Sequence, residues 1–285
     1  MTQRADRADT KRKKPVNQTD QFIPVRDGKL RVRVEGPQQA PALVFSNSLG
    51  TTLEMWDEQA ARFAKDFRVV RYDTRGHGGS TVSPGPYSFD LLGADVVAVL
   101  DALKIERAHF CGISMGGFTG LWLAINAASR MNSMAVCNSA AKIGTPEAWN
   151  TRAAMVRANG VAAMQELADS SPERWFTKPF TQSDPQVVAR AQAWIAAVNP
   201  QGYASCCDAL AGADVRDQLA RIAVRTLVIA GSADPVTTVA DGRYLQQHIA
   251  GATFVELPAS HLSNLEAPEA FDEALAQFLR ASEKQ

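Results

Sequence analysis

The most constraining feature of this sequence is a regular alternation of short apolar runs with longer amphipathic segments. The short runs have the composition of buried strands, and the longer segments repeat their apolar residues at helical spacing. Strands are predicted at residues 29–35, 42–48, 68–73, 108–114, 131–139, 225–231 and 252–257. Helices are predicted at residues 55–67, 89–104, 116–129, 239–249 and 268–281. This pattern is typical of βαβ units and predicts an α/β protein with a mostly parallel central sheet and flanking helices.

The alternation stops in the middle of the chain. Residues 141–213 contain amphipathic helical segments separated by proline and glycine, without an apolar run typical of a buried strand. The simplest organisation is a helical cap, 141–213, inserted into one core made of residues 22–140 and 214–285. Residues 1–21 are polar and locally basic without an apolar segment, which predicts a disordered extension and not a secretory signal.

Composition narrows the classes of partner and compartment. The chain has 30 Lys and Arg residues against 30 Asp and Glu residues, so its bulk charge favours neither a nucleic acid nor an anionic membrane as partner. No run approaches the roughly 18 apolar residues of a membrane span. Neither the cysteines nor the histidines have the spacing of a metal site. The cysteines are Cys111, Cys137, Cys206 and Cys207. We expect free, mostly buried thiols in the reducing cytoplasm.

A serine between glycines is the first candidate for catalysis. Ser114 lies in the sequence GISMG, with Gly112 two residues before it and Gly116 two residues after it. A serine on a very tight strand-to-helix turn forces these two neighbours together, and glycine removes the Cβ atoms that would clash. The pattern is that of a nucleophile elbow. A glycine-rich turn whose serine only caps a helix would give the same five residues, so the pentapeptide leaves both interpretations open.

Two further residues can complete a catalytic triad. A serine nucleophile needs a general base, and the base needs an orienting carboxylate. Asp234 directly follows one predicted strand, and His261 follows the last strand through a short loop. Taken singly, either residue could cap a turn or a helix. Because active residues of an open parallel sheet lie past the carboxyl ends of its strands, we predict Ser114 as nucleophile, His261 as base and Asp234 as acid.

The remaining polar residues near strand ends have other predicted roles. Asp73 and His77 lie in the glycine-rich turn YDTRGHGGS. Asp73 is the rival acid, but its neighbours favour a turn-stabilising role, and we expect His77 to organise the loop beside the nucleophile. The oxyanion hole needs two donors, for which we predict the backbone N–H groups of Met115, next to the nucleophile, and Leu49, in the loop NSLG.

Five segments resemble the 3-oxoadipate enol-lactonases of the bacterial β-ketoadipate pathway for aromatic catabolism. They are FSNSLGTTLEMWDEQ, VVRYDTRGHGGS, GISMGGFTGLWLA, CNSAAKIGT and IAGSADPVTT. Many α/β-hydrolases share the elbow and the D-x-R-G-H-G turn, whereas the SNSLGTT loop, with Asn47 and Ser48 where many relatives have histidine and glycine, is more specific. The resemblance implies an α/β-hydrolase fold with a helical cap, no metal ion and no organic cofactor. It also implies hydrolysis of 3-oxoadipate enol-lactone to 3-oxoadipate.

The implied substrate is a small lactone that carries a carboxylate, so the pocket should hold a cation between apolar walls. The cap offers the cations Lys142, Arg152, Arg157, Arg174 and Lys178, and the aromatic walls Trp149, Trp175 and Trp194. Arg152 and Trp149 are the first choices because both fall in the first predicted cap helix, near the oxyanion loop; Ser48 of that loop is a third candidate contact.

Other functions on the same fold stay open at this point. A general esterase, another lactonase or a carbon–carbon bond hydrolase would use the same triad, and a ligand receptor would keep the pocket without turnover. Among the α/β-hydrolases, the haloalkane dehalogenases and epoxide hydrolases carry aspartate where this chain has Ser114. This difference argues against a dehalogenase or epoxide hydrolase activity. The sequence leaves a homo-oligomer open.

Overall fold

The computed structural model describes residues 20–281, and the fold is built on one eight-stranded sheet. The strands are β1 Gln21–Val25, β2 Gly28–Glu35, β3 Ala42–Ser46, β4 Arg68–Tyr72, β5 Ala108–Ile113, β6 Met131–Cys137, β7 Thr226–Gly231 and β8 Thr253–Leu257. Their order is β1-β2-β4-β3-β5-β6-β7-β8. The pairs β1–β2 and β2–β4 are antiparallel, and all the other pairs are parallel.

Helices connect the parallel strands. They are α1 Asp57–Phe63, α2 Phe89–Ala102, α3 Met115–Asn126, α4 Pro146–Asn159, α5 Val161–Ser170, α6 Pro172–Trp175, α7 Lys178–Ser183, α8 Pro185–Ala196, α9 Pro200–Ala211, α10 Val239–His248, α11 Ser263–Glu266 and α12 Pro268–Arg280. Short 3-10 helices cover Leu53–Trp56, Ala128–Arg130 and Arg216–Arg221. The mostly parallel sheet with its flanking helices confirms the predicted α/β architecture.

The six helices α4 to α9 lie between β6 and β7, where the sequence predicts the cap. Four of them, α4, α6, α8 and α9, begin with proline. Proline is favourable at a first helical position because its φ is already helical. An N–H at this position would have no acceptor within the helix, so its absence in proline costs no hydrogen bond. The prolines that interrupt the sequence pattern therefore set the starts of these helices.

The strands that are easiest to predict from the sequence are those whose residues are all buried. Every residue of β3, β5 and β7 is buried, as expected for parallel strands covered on both faces. These fully buried strands put their carboxyl ends at one edge of the sheet, and the chain segments that follow them are the ones that can meet there.

The N-terminal boundary differs from the prediction. The sequence predicts Gln21 in the disordered extension, but this residue pairs with Val32 as the first residue of β1. The sequence does not indicate β1 because only Ile23 in this edge strand is buried and Pro24 interrupts the strand pattern. The rest of the predicted extension, residues 1–19, lies outside the described residues.

Two composition-based expectations can be compared with the structure. All four cysteines are free and buried, as predicted. Among the helices of residues 20–281, none is both long and apolar enough to cross a bilayer.

Candidate active site

Ser114 occupies the sharp turn between β5 and α3. Its φ of 56° and ψ of −116° are strained for a residue with a side chain. A Cβ atom on Gly112 would lie 2.3 Å from the carbonyl carbon of Gly116, and one on Gly116 would lie 2.2 Å from the backbone oxygen of Ser46. Both glycines are therefore required by close approach, as the elbow interpretation expects. The Ser114 side chain makes no capping hydrogen bond to α3, so the helix-cap alternative is wrong.

Neighbouring strands hold the elbow in place. The Ser114 N–H donates to the Cys137 carbonyl at the end of β6, at 3.0 Å. The Ser139 hydroxyl donates to the Ser114 carbonyl oxygen at 2.8 Å. A strained turn persists only where surrounding contacts hold its backbone in place. The two hydrogen bonds, to the Cys137 carbonyl and from the Ser139 hydroxyl, supply these contacts from outside the turn.

Asp234 and His261 meet past the ends of β7 and β8. The Nδ1 atom of His261 lies 2.8 Å from Oδ2 of Asp234, and both residues are buried. Asp234 also accepts hydrogen bonds from the Val236 N–H at 2.7 Å and from the Thr237 N–H at 3.1 Å and hydroxyl at 2.9 Å. Burial acts to raise the pKa of Asp234, but His261, the Asn138 amide and the Thr237 N–H outweigh it and hold the pKa below its ordinary value. Asp234 is therefore an ionised carboxylate suited to orient an imidazole.

Asn138 links the acid to the histidine loop, and sequence reasoning missed it as a site residue. Its Nδ2 donates to Oδ2 of Asp234 at 3.0 Å and to the carbonyl of Ser260 at 3.1 Å, while its Oδ1 accepts from the Ser263 hydroxyl. Asn138 directly follows β6 with a φ of 42°, a conformation in which Asn is enriched among residues other than glycine. An asparagine directly after a buried strand, in the CNSAAKIGT segment, was the available signal.

The predicted oxyanion donors lie in the loop after β3, which contains Leu49, and at the first residue of α3, Met115. Within residues 20–281, the backbone N–H groups of Leu49 and Met115 have no hydrogen-bond partner. The next N–H, of Gly50, donates to Nε2 of His77 at 3.0 Å, and Nδ1 of His77 lies 3.3 Å from the Arg75 carbonyl. Burial lowers the pKa of His77 to about 4, so the ring is neutral and can accept from Gly50. This geometry agrees with the loop-organising role expected for His77.

Asn47 and Asp73 anchor the same region. Asn47 donates to the Tyr72 carbonyl at 2.8 Å and accepts from the Trp56 indole at 3.1 Å, which fixes the start of the loop. Asp73 accepts from the Leu53 and Gly79 N–H groups, both at 2.8 Å. Asp73 is thus occupied in turns, as expected, and the carboxylate that contacts His261 is that of Asp234.

Ser114 and His261 open into one cavity of about 210 Å³ beneath the cap helices. Its lining includes Ser48, Leu49, Ile143, Trp149, Arg152, Arg174, Trp175, Ile195, Tyr203 and Val236. All three predicted substrate contacts, Ser48, Trp149 and Arg152, therefore reach it. The surface around the nucleophile is mainly apolar, with two guanidinium groups from the cap.

The two arginines differ from the other cap cations. Arg152 stacks over the Trp149 ring at 5.0 Å, and Arg174 donates to the carbonyls of Ser170 and Leu167. Neither arginine forms an ion pair with any residue of the described range 20–281. Burial, and then the nearby charge of Arg152, lower the pKa of Arg174.

The other candidates from the cap lie elsewhere. Lys142 pairs with Asp214 at 3.5 Å, and Arg157 pairs with Asp208. Lys178 is exposed, and Trp194 stacks with Arg190 outside the cavity lining. Of the five predicted cations, the cavity therefore receives Arg152 and Arg174. Among residues 20–281, no group of three or more His, Cys, Asp and Glu side chains could hold a metal ion.

Known proteins resemble this chain in both sequence and fold. The family model for the α/β-hydrolase fold matches residues 41–268. The chain is 48% identical over 266 residues to 3-oxoadipate enol-lactonase 2 of Acinetobacter baylyi, covering 93% of this chain and 98% of that protein. It is 51% identical over 261 residues to 3-oxoadipate enol-lactonase 1 of the same organism, covering 91% and 97%.

A solved structure agrees with these relatives. The crystal structure of the enol-lactonase from Burkholderia xenovorans LB400 superimposes with a TM-score of 0.88 at 45% sequence identity, covering 91% of this chain and 100% of that one. An esterase from Thermogutta terrifontis with malate bound has a TM-score of 0.87 at only 22% identity, so that likeness concerns the fold alone.

Proposed function

Because the chain belongs to the 3-oxoadipate enol-lactonase family of the α/β-hydrolases, we propose that it hydrolyses 3-oxoadipate enol-lactone to 3-oxoadipate in the breakdown of aromatic compounds. The observation that carries the proposal is a serine hydrolase site whose cavity is lined by two cap arginines. Neither arginine has a carboxylate partner among residues 20–281. Four buried, free thiols fit a reducing compartment, and we place the reaction in the cytoplasm.

The first chemical step is acylation of Ser114. Its hydroxyl oxygen attacks the lactone carbonyl carbon while Nε2 of His261 takes the hydroxyl proton. Nε2 is free to do so because the Nδ1–H group donates a hydrogen bond to ionised Asp234, which also stabilises the imidazolium that forms. The negative charge that develops on the carbonyl oxygen accepts hydrogen bonds from the Leu49 and Met115 N–H groups.

Ring opening and deacylation complete the cycle. The bond between the carbonyl carbon and the ring oxygen breaks, and protonated His261 returns its proton to the departing enol oxygen. An enol oxygen is a better leaving group than an alkoxide, so this step needs less assistance than cleavage of an alkyl ester. Water, deprotonated by His261, then attacks the acyl carbon. The bond from that carbon to the Ser114 oxygen breaks, His261 returns the proton to this oxygen, and the new carboxylic acid leaves and ionises. The enol tautomerises to the ketone.

The cap arginines supply recognition of the substrate's own carboxylate. A carboxylate that enters a cavity with apolar walls loses hydration, and a guanidinium offsets that loss through charge-assisted hydrogen bonds. Arg152, held against Trp149, is our first choice for this contact, and Arg174 adds a second positive charge. We therefore propose that the cap, residues 141–213, selects for an anionic lactone over a neutral ester.

A comparison of two substrates tests the function. Purified protein is assayed with 3-oxoadipate enol-lactone and with p-nitrophenyl acetate, a neutral ester that needs the triad but no cation. We expect kcat/KM for the lactone to exceed that for the ester by about 100-fold or more, which corresponds to about 3 kcal/mol of transition-state stabilisation. A larger value for the ester would indicate a general esterase instead, and an initial burst without turnover of either substrate would indicate a receptor.

A further inference from the structure

Glu266, at the end of α11, contacts two distant parts of the site. Its Oε2 accepts from the Ser260 N–H at 2.8 Å, next to the catalytic histidine. Its Oε1 accepts from the N–H of Thr177 at 3.1 Å and from the Thr177 hydroxyl. All these donors are uncharged, and Glu266 forms no ion pair with a residue of the described range. One half-buried carboxylate therefore joins the histidine loop to the cap.

A second hydrogen bond joins the same two segments. The Leu262 N–H donates to the Trp175 carbonyl at 3.1 Å. Ser260 and Leu262 flank His261, so the backbone on both sides of the base is tied to cap residues 175–177. The loop from 260 to 262 also contacts Asn138 through the Ser260 carbonyl, which fixes its other side to the core.

The cap segment in this connection also forms part of the cavity wall. Arg174 and Trp175, in the last turn of α6, both line it. The residues that would face the substrate and the loop that carries the base thus belong to one hydrogen-bonded unit. A displacement of α6 would move the carbonyl of Trp175 and the amide of Thr177, and with them the residues that flank His261.

We infer that Glu266 is a positioning residue: its carboxylate fastens the His261 loop to cap residues 175–177, so that His261 takes its working position when this segment is seated on the core. The inference rests on the proposed role of His261 as general base. Glu266 acts through His261 and is not among the residues that line the cavity.

The test replaces the carboxylate without changing its shape. A glutamine offers one acceptor and an NH₂ group, so in Glu266→Gln either Ser260 or Thr177 faces a donor instead of an acceptor. We expect kcat to fall by about 10- to 100-fold on both the enol-lactone and p-nitrophenyl acetate, because a small displacement of a catalytic group costs that much. KM for p-nitrophenyl acetate, which needs no cation from the cap, should change by less than about 3-fold.

The pH profile separates positioning from stability. The acid limb of kcat/KM reports the base of the free enzyme. A loosened contact between His261 and Asp234 stabilises the imidazolium less, so the acid limb of Glu266→Gln should move down by about half a pH unit or more. A variant that was only less folded would scale the profile without moving its midpoint.

Two further changes provide the controls. Glu269→Gln makes the same chemical change three residues away at an exposed position and should leave kcat unaltered. Thr177→Val removes the hydroxyl that donates to Glu266 and should lower kcat in the same direction, and Thr177→Ser should recover most of the loss.

Folded Glu266→Gln with wild-type kcat and an unmoved acid limb overturns the inference. If Glu266→Gln does not fold, wild-type kcat in folded Thr177→Val overturns it. Failure of the proposed function would look different: the wild type would hydrolyse the ester and not the lactone, and the ester would still decide whether Glu266 positions the base.

Discussion

The neutral His77 ring should make the stability of this protein fall steeply in mild acid. Burial lowers the pKa of His77 from 6.5 to about 4 in the folded state, where Nε2 must accept from the Gly50 N–H. Above pH 6.5 the ring is neutral in both the folded and the unfolded chain. Below pH 6.5, His77 is protonated in the unfolded chain but stays neutral in the folded protein. The free energy of unfolding therefore decreases as pH falls, until His77 in the folded protein also becomes protonated near pH 4.

The size of the effect follows from the two pKa values. A difference of about 2.5 units at about 1.36 kcal/mol per unit gives about 3 kcal/mol for His77 in total. At about pH 4.5 the linkage relation gives a loss of about 2.5 kcal/mol from this residue. Other buried groups titrate in the same range, among them His109, whose pKa burial also lowers to about 4. A difference between two proteins is therefore needed to isolate His77.

The isolating comparison is wild type against His77→Gln. The glutamine side chain can still accept from Gly50 but does not titrate, so other groups cancel in the difference. Urea unfolding is measured for both proteins at about pH 7.5 and about pH 4.5, and wild type should lose about 2.5 kcal/mol more than the variant between the two. Between about pH 7 and about pH 8 the difference should be constant. A difference that does not change down to about pH 4.5 would show that His77 is not held neutral, and our account of the oxyanion loop would then fail.

Three further predictions concern the site itself. Ser114→Ala should keep its circular dichroism spectrum and lose turnover by about 10⁴-fold or more; retention of a tenth of the activity would remove Ser114 from the mechanism. Asp234→Asn should lower kcat severely while Asp73→Asn mainly lowers the melting temperature, and the reverse outcome would reassign the acid. Arg152→Ala should lower kcat/KM for the enol-lactone by about 30-fold, through the unpaired substrate carboxylate, yet barely change ester hydrolysis. If both substrates respond equally in Arg152→Ala, Arg174→Ala becomes the variant to compare.

The parts of the site that the sequence predicts are those fixed by local geometry. Gly112 and Gly116 are required because a Cβ atom at either position would overlap backbone within the elbow or the neighbouring strand. Asp234 follows the buried strand β7, and His261 follows the partly exposed edge strand β8; the two strands are parallel, and their carboxyl ends share one edge of the sheet. The G-x-S-x-G pattern and the rule that active residues follow strand carboxyl ends were therefore enough to predict that Ser114, Asp234 and His261 lie together.

The missed residues act across long separations in the chain. Asn138 contacts a carboxylate 96 residues away, and Glu266 contacts Thr177 across 89 residues. No periodicity or spacing in the sequence predicts these hydrogen-bonded pairs, because the pairs depend on how the cap and the loops pack on the sheet. Arg174 was only one of five cap cations for the same reason: α6 has four residues, too few for a pattern to say which side faces the cavity.

The two cavity arginines have a consequence for how the enzyme is handled in the laboratory. Their guanidinium groups repel each other, which contributes to the lowered pKa of Arg174. Any small anion that enters the cavity relieves this repulsion, whether or not it has a ring that fits the walls. We therefore expect phosphate and citrate to compete with an anionic substrate, so that a KM measured in these buffers rises with buffer concentration. Zwitterionic buffers at constant ionic strength give the KM of the protein itself.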